Sequence, residues 1–181
     1  TPNSAYFNFS YNIQNDTYYS LEVLYKDQVI TSKESQKASS FFPIETLSCQ
    51  NEFIDSLGFE VATIDFNFTT QGTLQDDYYY TFNIELISNP LTPINIFGTE
   101  PAEVIGGNST KFISQRVPNL LSDTIARTTL ISLDNGFFQY LKNINLLGII
   151  PNDDIEGHQG NLEGGIGYFG IVNYDVGEVI F

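Results

Sequence analysis

"GFEVATIDFNFTTQGTLQDDYYYTFNIELIS", residues 58–88, decides the fold class. In its first half Glu60, Ala62, Ile64, Phe66 and Phe68 alternate with Phe59, Val61, Thr63 and Asp65. A period of two marks a strand, because successive side chains on extended backbone point to opposite faces. After Gly72 the chain returns as "DDYYYTFNIELIS", again rich in aromatic and β-branched residues that fit a pleated surface. The two halves predict a β-hairpin.

The pattern extends outward on both sides. In "AYFNFSYNIQ" (5–14), Tyr6, Asn8, Ser10 and Asn12 share one face, and Phe7, Phe9, Tyr11 and Ile13 the other. Asn15-Asp16 marks a turn, and "YYSLEVLYKDQVI" (18–30) comes next as a second strand region, giving another expected hairpin. "TSKESQKASS" (31–40) reads as a polar loop, ended by "FFPIE". Between Asn89 and Pro118 the text is broken by prolines and glycines, with short strands expected at "INIFG" and "KFISQRV". "TIARTTLISL" (124–133) is a clear strand. Asp134 can then cap a helix, "NGFFQYLKNINLLG", in which Phe137, Tyr140, Leu141, Ile144 and Leu147 recur at helical spacing. Gly148 and Pro151 would stop it. "GYFGIVNYDVGEVIF" (167–181) returns to strand. The expectation is one mostly β domain over residues 1–181, an antiparallel β-sandwich or partly open barrel with one short α-helix near residues 135–147.

Composition narrows the function. The chain is 41% apolar and 14% aromatic, which is globular rather than disordered. Against 22 acidic residues stand 7 Lys plus Arg, a net charge of −15 with no basic cluster. Phosphate neutralisation is out of reach, so no nucleic-acid partner is expected, and anionic lipid surfaces are disfavoured. A single cysteine, Cys49, allows neither an intrachain disulfide nor a thiolate cluster, and it reads as a structural thiol. "TLSCQNE" around it resembles a lipoprotein cleavage site, but "SKESQKASSFFPIE" before it lacks the required apolar run. No stretch approaches the roughly 18 consecutive apolar residues of a membrane-spanning helix.

Candidate chemistry is sparse. "NLEGGIGYFG" (161–170) contains G-x-G-x-x-G at Gly165, Gly167 and Gly170. A dinucleotide fingerprint needs a helix opening on its last glycine, but the residues after Gly170, "IVNYDVGEVIF", are strand-like. Gly164, Gly165, Gly167 and Gly170 therefore read as a structural turn into the last strand, packed under Tyr168 and Phe169. Asn152, Asp154, Glu156, Gly157 and Glu163 fall at positions 1, 3, 5, 6 and 12 of an EF-hand-like loop. Asn152, Asp154, Glu156 and Glu163 are thus candidate calcium ligands, with a solvated acidic loop as the other reading. His158, the one histidine, sits in the same loop without a nucleophile-elbow sequence elsewhere. Asp76-Asp77 and Asp153-Asp154 are sequence neighbours, which point apart on a strand, so no catalytic pair and no cofactor is assigned. The tyrosines of "DDYYYTF" could stack on sugars or enter the core.

The closing segment, Asn161, Leu162, Glu163, Gly164, Gly165, Ile166, Gly167, Tyr168 and Phe169, resembles that of a family of Bacteroidota surface lipoproteins of unknown function. That family ends on Asn, apolar, any residue, Gly-Gly, apolar, Gly, aromatic, Phe. "YYSLEVLYKDQVITSKESQKASSFFPIE" and "FEVATIDFNFTTQGTLQDDYYYTFNIELIS" resemble its earlier strands, the second with a Tyr-Tyr pair opening a strand. Members are often encoded beside TonB-dependent outer-membrane receptors. They usually carry a lipidated cysteine and an amino-terminal immunoglobulin-like domain, so anchoring would come through a lipid or domain absent from this chain. Asp55-Ser56-Leu57 and Asp123-Thr124-Ile125 resemble sites of bacterial O-glycosylation on Ser56 and Thr124. The resemblance implies a non-enzymatic accessory subunit at the outer-membrane surface, facing the outside of the cell, with an outer-membrane β-barrel as partner. The alternative is a free-standing carbohydrate- or peptide-binding module.

Overall fold

The structure, a computed structural model, describes residues 14, 17–37, 40–54, 59–71, 77–87, 95–98, 100–104, 106–118, 124–147, 160–165 and 167–180. Its first strands are β1 (Tyr18–Tyr19), β2 (Glu22–Tyr25), β3 (Gln28–Ser32) and β4 (Gln36–Lys37). Then come β5 (Ile44–Ile54), β6 (Phe59–Thr70), β7 (Tyr78–Ile87), β8 (Asn95–Gly98) and β9 (Ala102–Val104). The chain ends with β10 (Ser109–Pro118), β11 (Ile125–Leu133), α1 (Asn135–Leu147), β12 (Leu162–Glu163) and β13 (Asn173–Ile180).

Two antiparallel sheets carry the core. In one, β6 lies between β10 and β5; in the other the order is β13-β11-β7-β8, with β9 also paired to β7. The residues that alternate in β6, namely Ala62, Ile64, Phe66 and Phe68, are buried against Tyr78, Tyr80, Phe82, Ile84 and Leu86 of β7. Phe66 meets Phe82 edge-on at 5.1 Å, and Phe68 meets Tyr80 at 4.9 Å. Phe42 closes that end, stacked on Phe68 and edge-on to Tyr78. Each fully buried ring or branched chain stabilises by about 1.5–3 kcal/mol, so this row is the main driving force. The fold is the mostly β, antiparallel sandwich with one helix that the alternation implied.

The expected hairpin of residues 58–88 does not form. β6 hydrogen-bonds to β5 and β10, while β7 hydrogen-bonds to β11, β8 and β9, so the two strands face each other across the sandwich. Alternation specifies which face is buried and is silent on which neighbour shares the ladder. The earlier hairpin is described only in its second half. Its first strand, 5–13, lies outside the described residues, and its second is itself a hairpin. β2 and β3 pair around Lys26-Asp27, both with positive φ (46° and 65°), as in a two-residue I′-type turn. The expected polar loop 31–40 begins inside β3 and contains β4, which pairs with β1.

The two sheets also meet at one edge. Ile44 N–H donates to Asp175 Oδ2 at 2.8 Å, tying β5 to β13. At Gly177 an added Cβ would lie 2.8 Å from Leu47 Cδ2, so the end of the Leu47 side chain packs directly over this glycine where the strands meet. Helix α1 packs outside the larger sheet, with Phe138 buried on Tyr79 (4.6 Å) and Leu133. Its cap is as expected: Phe137 N–H donates to Asp134 Oδ1 at 2.8 Å. Phe138, outside the apolar stripe read from the spacing, is the buried ring of this contact. The expected stop at Gly148 and Pro151 lies outside the described residues.

Candidate functional site

The glycine-rich segment forms a joint between the β2–β3 hairpin and the start of α1. Asn161 closes the segment on itself, its amide donating to Phe169 C=O (2.8 Å) and its Oδ1 accepting from Phe169 N–H (2.7 Å). Asn161 C=O also accepts from Lys33 N–H at 2.8 Å. β12 runs antiparallel to β3, with Leu162 opposite Ser32 and Glu163 opposite Thr31. Gly164 turns the chain at φ +76°, where an added Cβ would press against the Val29 carbonyl oxygen. Gly165 rests on the Ile30 side chain, Gly167 bridges Gly160, and Gly170 lies against Asp134 and the Tyr168 ring.

Tyr168 completes the joint. Its ring stacks on Phe137 (5.3 Å, 12°) and tilts against Tyr140 (5.6 Å). Its hydroxyl donates to Asp134 Oδ1 at 2.9 Å, the oxygen that also caps α1. Burial first, then the hydrogen bond and charge of Asp134, and then Glu34, push its pKa well above the ordinary tyrosine value. It stays a neutral donor near neutrality, unsuited to acid–base work there. The chain beyond Gly170 enters β13, so no helix opens on the last glycine as a dinucleotide fingerprint requires. The arrangement holds elements together.

Asn152, Asp154, Glu156 and His158 lie outside the described residues, as does Ser56. Glu163 stands exposed on β12, and among the described residues no group of three or more His, Cys, Asp or Glu is placed to hold a metal. Thr124 is 1% exposed with its hydroxyl buried and unpartnered, so the folded chain does not present it for glycosylation. Tyr78, Tyr79 and Tyr80 are all buried, the outer two in the core and the middle one under α1, which removes them as a sugar-stacking platform. Cys49 is half-buried against the core, and burial, then the Asp65 carboxylate, raise its pKa, which disfavours the reactive thiolate. Among the described residues no helix is long and apolar enough to cross a membrane, which says nothing about membrane crossing by strands.

Among the described residues, two outer sheet faces carry exposed side chains, one of them beside the part that α1 covers, and sequence reading assigns neither. The outer face of the larger sheet carries Tyr174, Val176 and Ile180 along β13, exposed by 65%, 43% and 66%. Between them Arg127 donates to Glu178 (2.8 Å) and Glu85 (3.3 Å). On the opposite side of the sandwich, the outer face of β10-β6-β5 is mostly polar and carries Phe112, which is 77% exposed. Both faces are the second phase of strands whose first phase forms the core.

These observations define an acidic antiparallel sandwich with a glycine-and-tyrosine joint under its helix. The chain belongs to the family described as Domain of unknown function (DUF4249), which it matches over residues 1–177. No curated protein and no solved structure matches it.

Proposed function

We propose that this protein is a non-enzymatic accessory subunit at the bacterial outer-membrane surface, docked on a TonB-dependent or other outer-membrane β-barrel. The observation that carries the reading is the exposed apolar row of Tyr174, Val176 and Ile180 on the outer face of the larger sheet. Side chains of that size gathered on one strand, beside an ion-paired Arg127, have the composition of an interface with a polar rim. The resemblance of the closing segment to surface lipoproteins supplies the location and the kind of partner. The acidic surface, at a net charge of −15, supports a cell-surface setting rather than a nucleic-acid one.

The test is capture from the source membranes. Tagged protein is isolated after mild detergent extraction, and its companions are identified by mass spectrometry. A stoichiometric β-barrel is expected with the wild type and is expected to be lost with the Tyr174→Ser/Val176→Thr double variant, which keeps strand-compatible residues on β13. Recovery of the wild-type protein alone would sink the proposal.

A further inference from the structure

The outer face of β10-β6-β5, on the side of the sandwich away from Tyr174, has the chemistry of a glycan platform. Its rows are set by the strand register. Asn67 stands beside Phe112, and Thr63 stands between Gln50 and Arg116. Asp65, in the row between these two, supplies a carboxylate. These side chains lie opposite the core because Ala62, Ile64, Phe66 and Phe68 on the same strand all face inward. Hydroxyl and amide groups both donate and accept, which is what neighbouring hydroxyls of a sugar ring require.

Two details point to a ligand rather than a merely solvated face. Phe112 leaves 77% of its surface in water at the margin of this polar field. A flat ring beside hydroxyl-binding groups suits the apolar C–H face of a pyranose. Thr63 is 7% exposed, and its Oγ1 is buried without a hydrogen-bond partner, as is Asn67 Oδ1. Unmet polar atoms in native structures are uncommon and call for a partner, and these two, unlike that of Thr128, lie on the outward side of their strand. Thr63 is flanked in register by Gln50 and Arg116, long flexible side chains able to swing aside and admit a hydroxyl.

We infer that this face binds a neutral oligosaccharide, with Phe112 as the stacking ring and Thr63 and Asn67 as buried hydrogen-bonding partners. Neutrality is set by the charge balance, since a chain at −15 repels anionic polymers. The site is independent of the docking reading, because it occupies the opposite face.

Isothermal titration of the full chain with hexasaccharides of glucose, mannose, xylose or galactose tests it, with an acidic hexasaccharide of galacturonate as the contrast. At least one neutral sugar is expected to bind and the acidic one is not. Phe112→Ala is expected to weaken binding by about tenfold or more, the scale on which loss of a stacking ring weakens the binding of a flat base. Thr63→Val is expected to weaken it by about threefold or more while leaving Tm unchanged or higher, since it removes an unmet hydroxyl. Phe112→Ala should still capture the partner from membranes, which separates this site from the β13 face. No binding by any neutral sugar at millimolar concentration overturns the inference. So does equal binding of the acidic sugar, or affinity unmoved by Phe112→Ala.

Discussion

Replacing Thr128 with valine is expected to stabilise the protein, and replacing Thr70 with valine to destabilise it, although both threonines are fully buried. Thr128 lies in the middle of β11, in the inward row with Ala126 and Leu130, at 0% exposure, and its Oγ1 has no hydrogen-bond partner. A buried hydroxyl without a partner costs about 1–3 kcal/mol in lost hydration. Valine keeps the branched shape and removes that cost, so a gain of about 1–2 kcal/mol is expected. Thr70 is equally buried but employed: its hydroxyl donates to Gly107 C=O at 2.9 Å and accepts from Ser109 N–H at 3.2 Å. Valine there strands both backbone groups and costs about 1–3 kcal/mol. For a domain of this size each kcal/mol moves Tm by about 2–4 °C. Urea and thermal unfolding followed by far-ultraviolet circular dichroism measure both variants, and the lack of tryptophan makes that probe preferable to fluorescence. If the two variants shift in the same direction, the bonding assigned to one of these hydroxyls is wrong.

The joint gives two more expectations. Gly164→Ala forces a Cβ against the Val29 carbonyl at positive φ, so a loss of about 2–4 kcal/mol is expected by thermal melting. An unchanged Tm would show that the turn is not held as described. Tyr168 and Tyr80 have raised pKa values, Tyr168 through burial and then Asp134, Tyr80 through burial. Above about pH 10 the unfolded chain loses these protons while the folded chain keeps them, so the folded state binds more protons and stability falls as pH rises. Their contribution is whole below about pH 10 and is lost through the alkaline range. Tyr168→Phe should shallow that decline, and a decline identical to wild type would remove Tyr168 as a cause.

How much of this was legible depended on what each signal encodes. The alternation in 59–68 set apart the residues of β6 that enter the core, because on a strand packed on one face period two and burial go together. It misassigned the partnership of β6 with β7, since two strands with matching apolar faces satisfy a hairpin and a sandwich equally. β5 went unread because its inward residues Leu47 and Cys49 are outnumbered by the polar Thr46, Ser48 and Gln50 on its open face. The turn at Lys26-Asp27 was invisible for another reason: lysine at positive φ is disfavoured locally and is held there by the pairing of β2 with β3. The helix was legible from its cap, yet its burial centre fell on Phe138, because the side of α1 that meets Tyr79 depends on a strand far away in sequence.

The closing segment was the most recognisable part of the sequence, and its geometry says why that recognisability is a poor guide to activity. Asn161 is fixed by Phe169, Gly164 by the Val29 carbonyl, Gly165 by Ile30, and Tyr168 by Asp134 and Phe137. Each of these four positions is explained by what it packs against inside the chain. A pattern whose residues are used in this way marks the fold. Binding must then be sought where side chains are under-used: in the exposed row of Tyr174, Val176 and Ile180, and in Phe112 beside the unmet oxygens of Thr63 and Asn67. Those positions carry no spacing a motif could capture, because they are the outward phase of ordinary strands. If the Gly164 and Tyr168 variants lose stability without losing partner or sugar affinity per folded molecule, while the two surface variants do the reverse, that division between joint and faces holds.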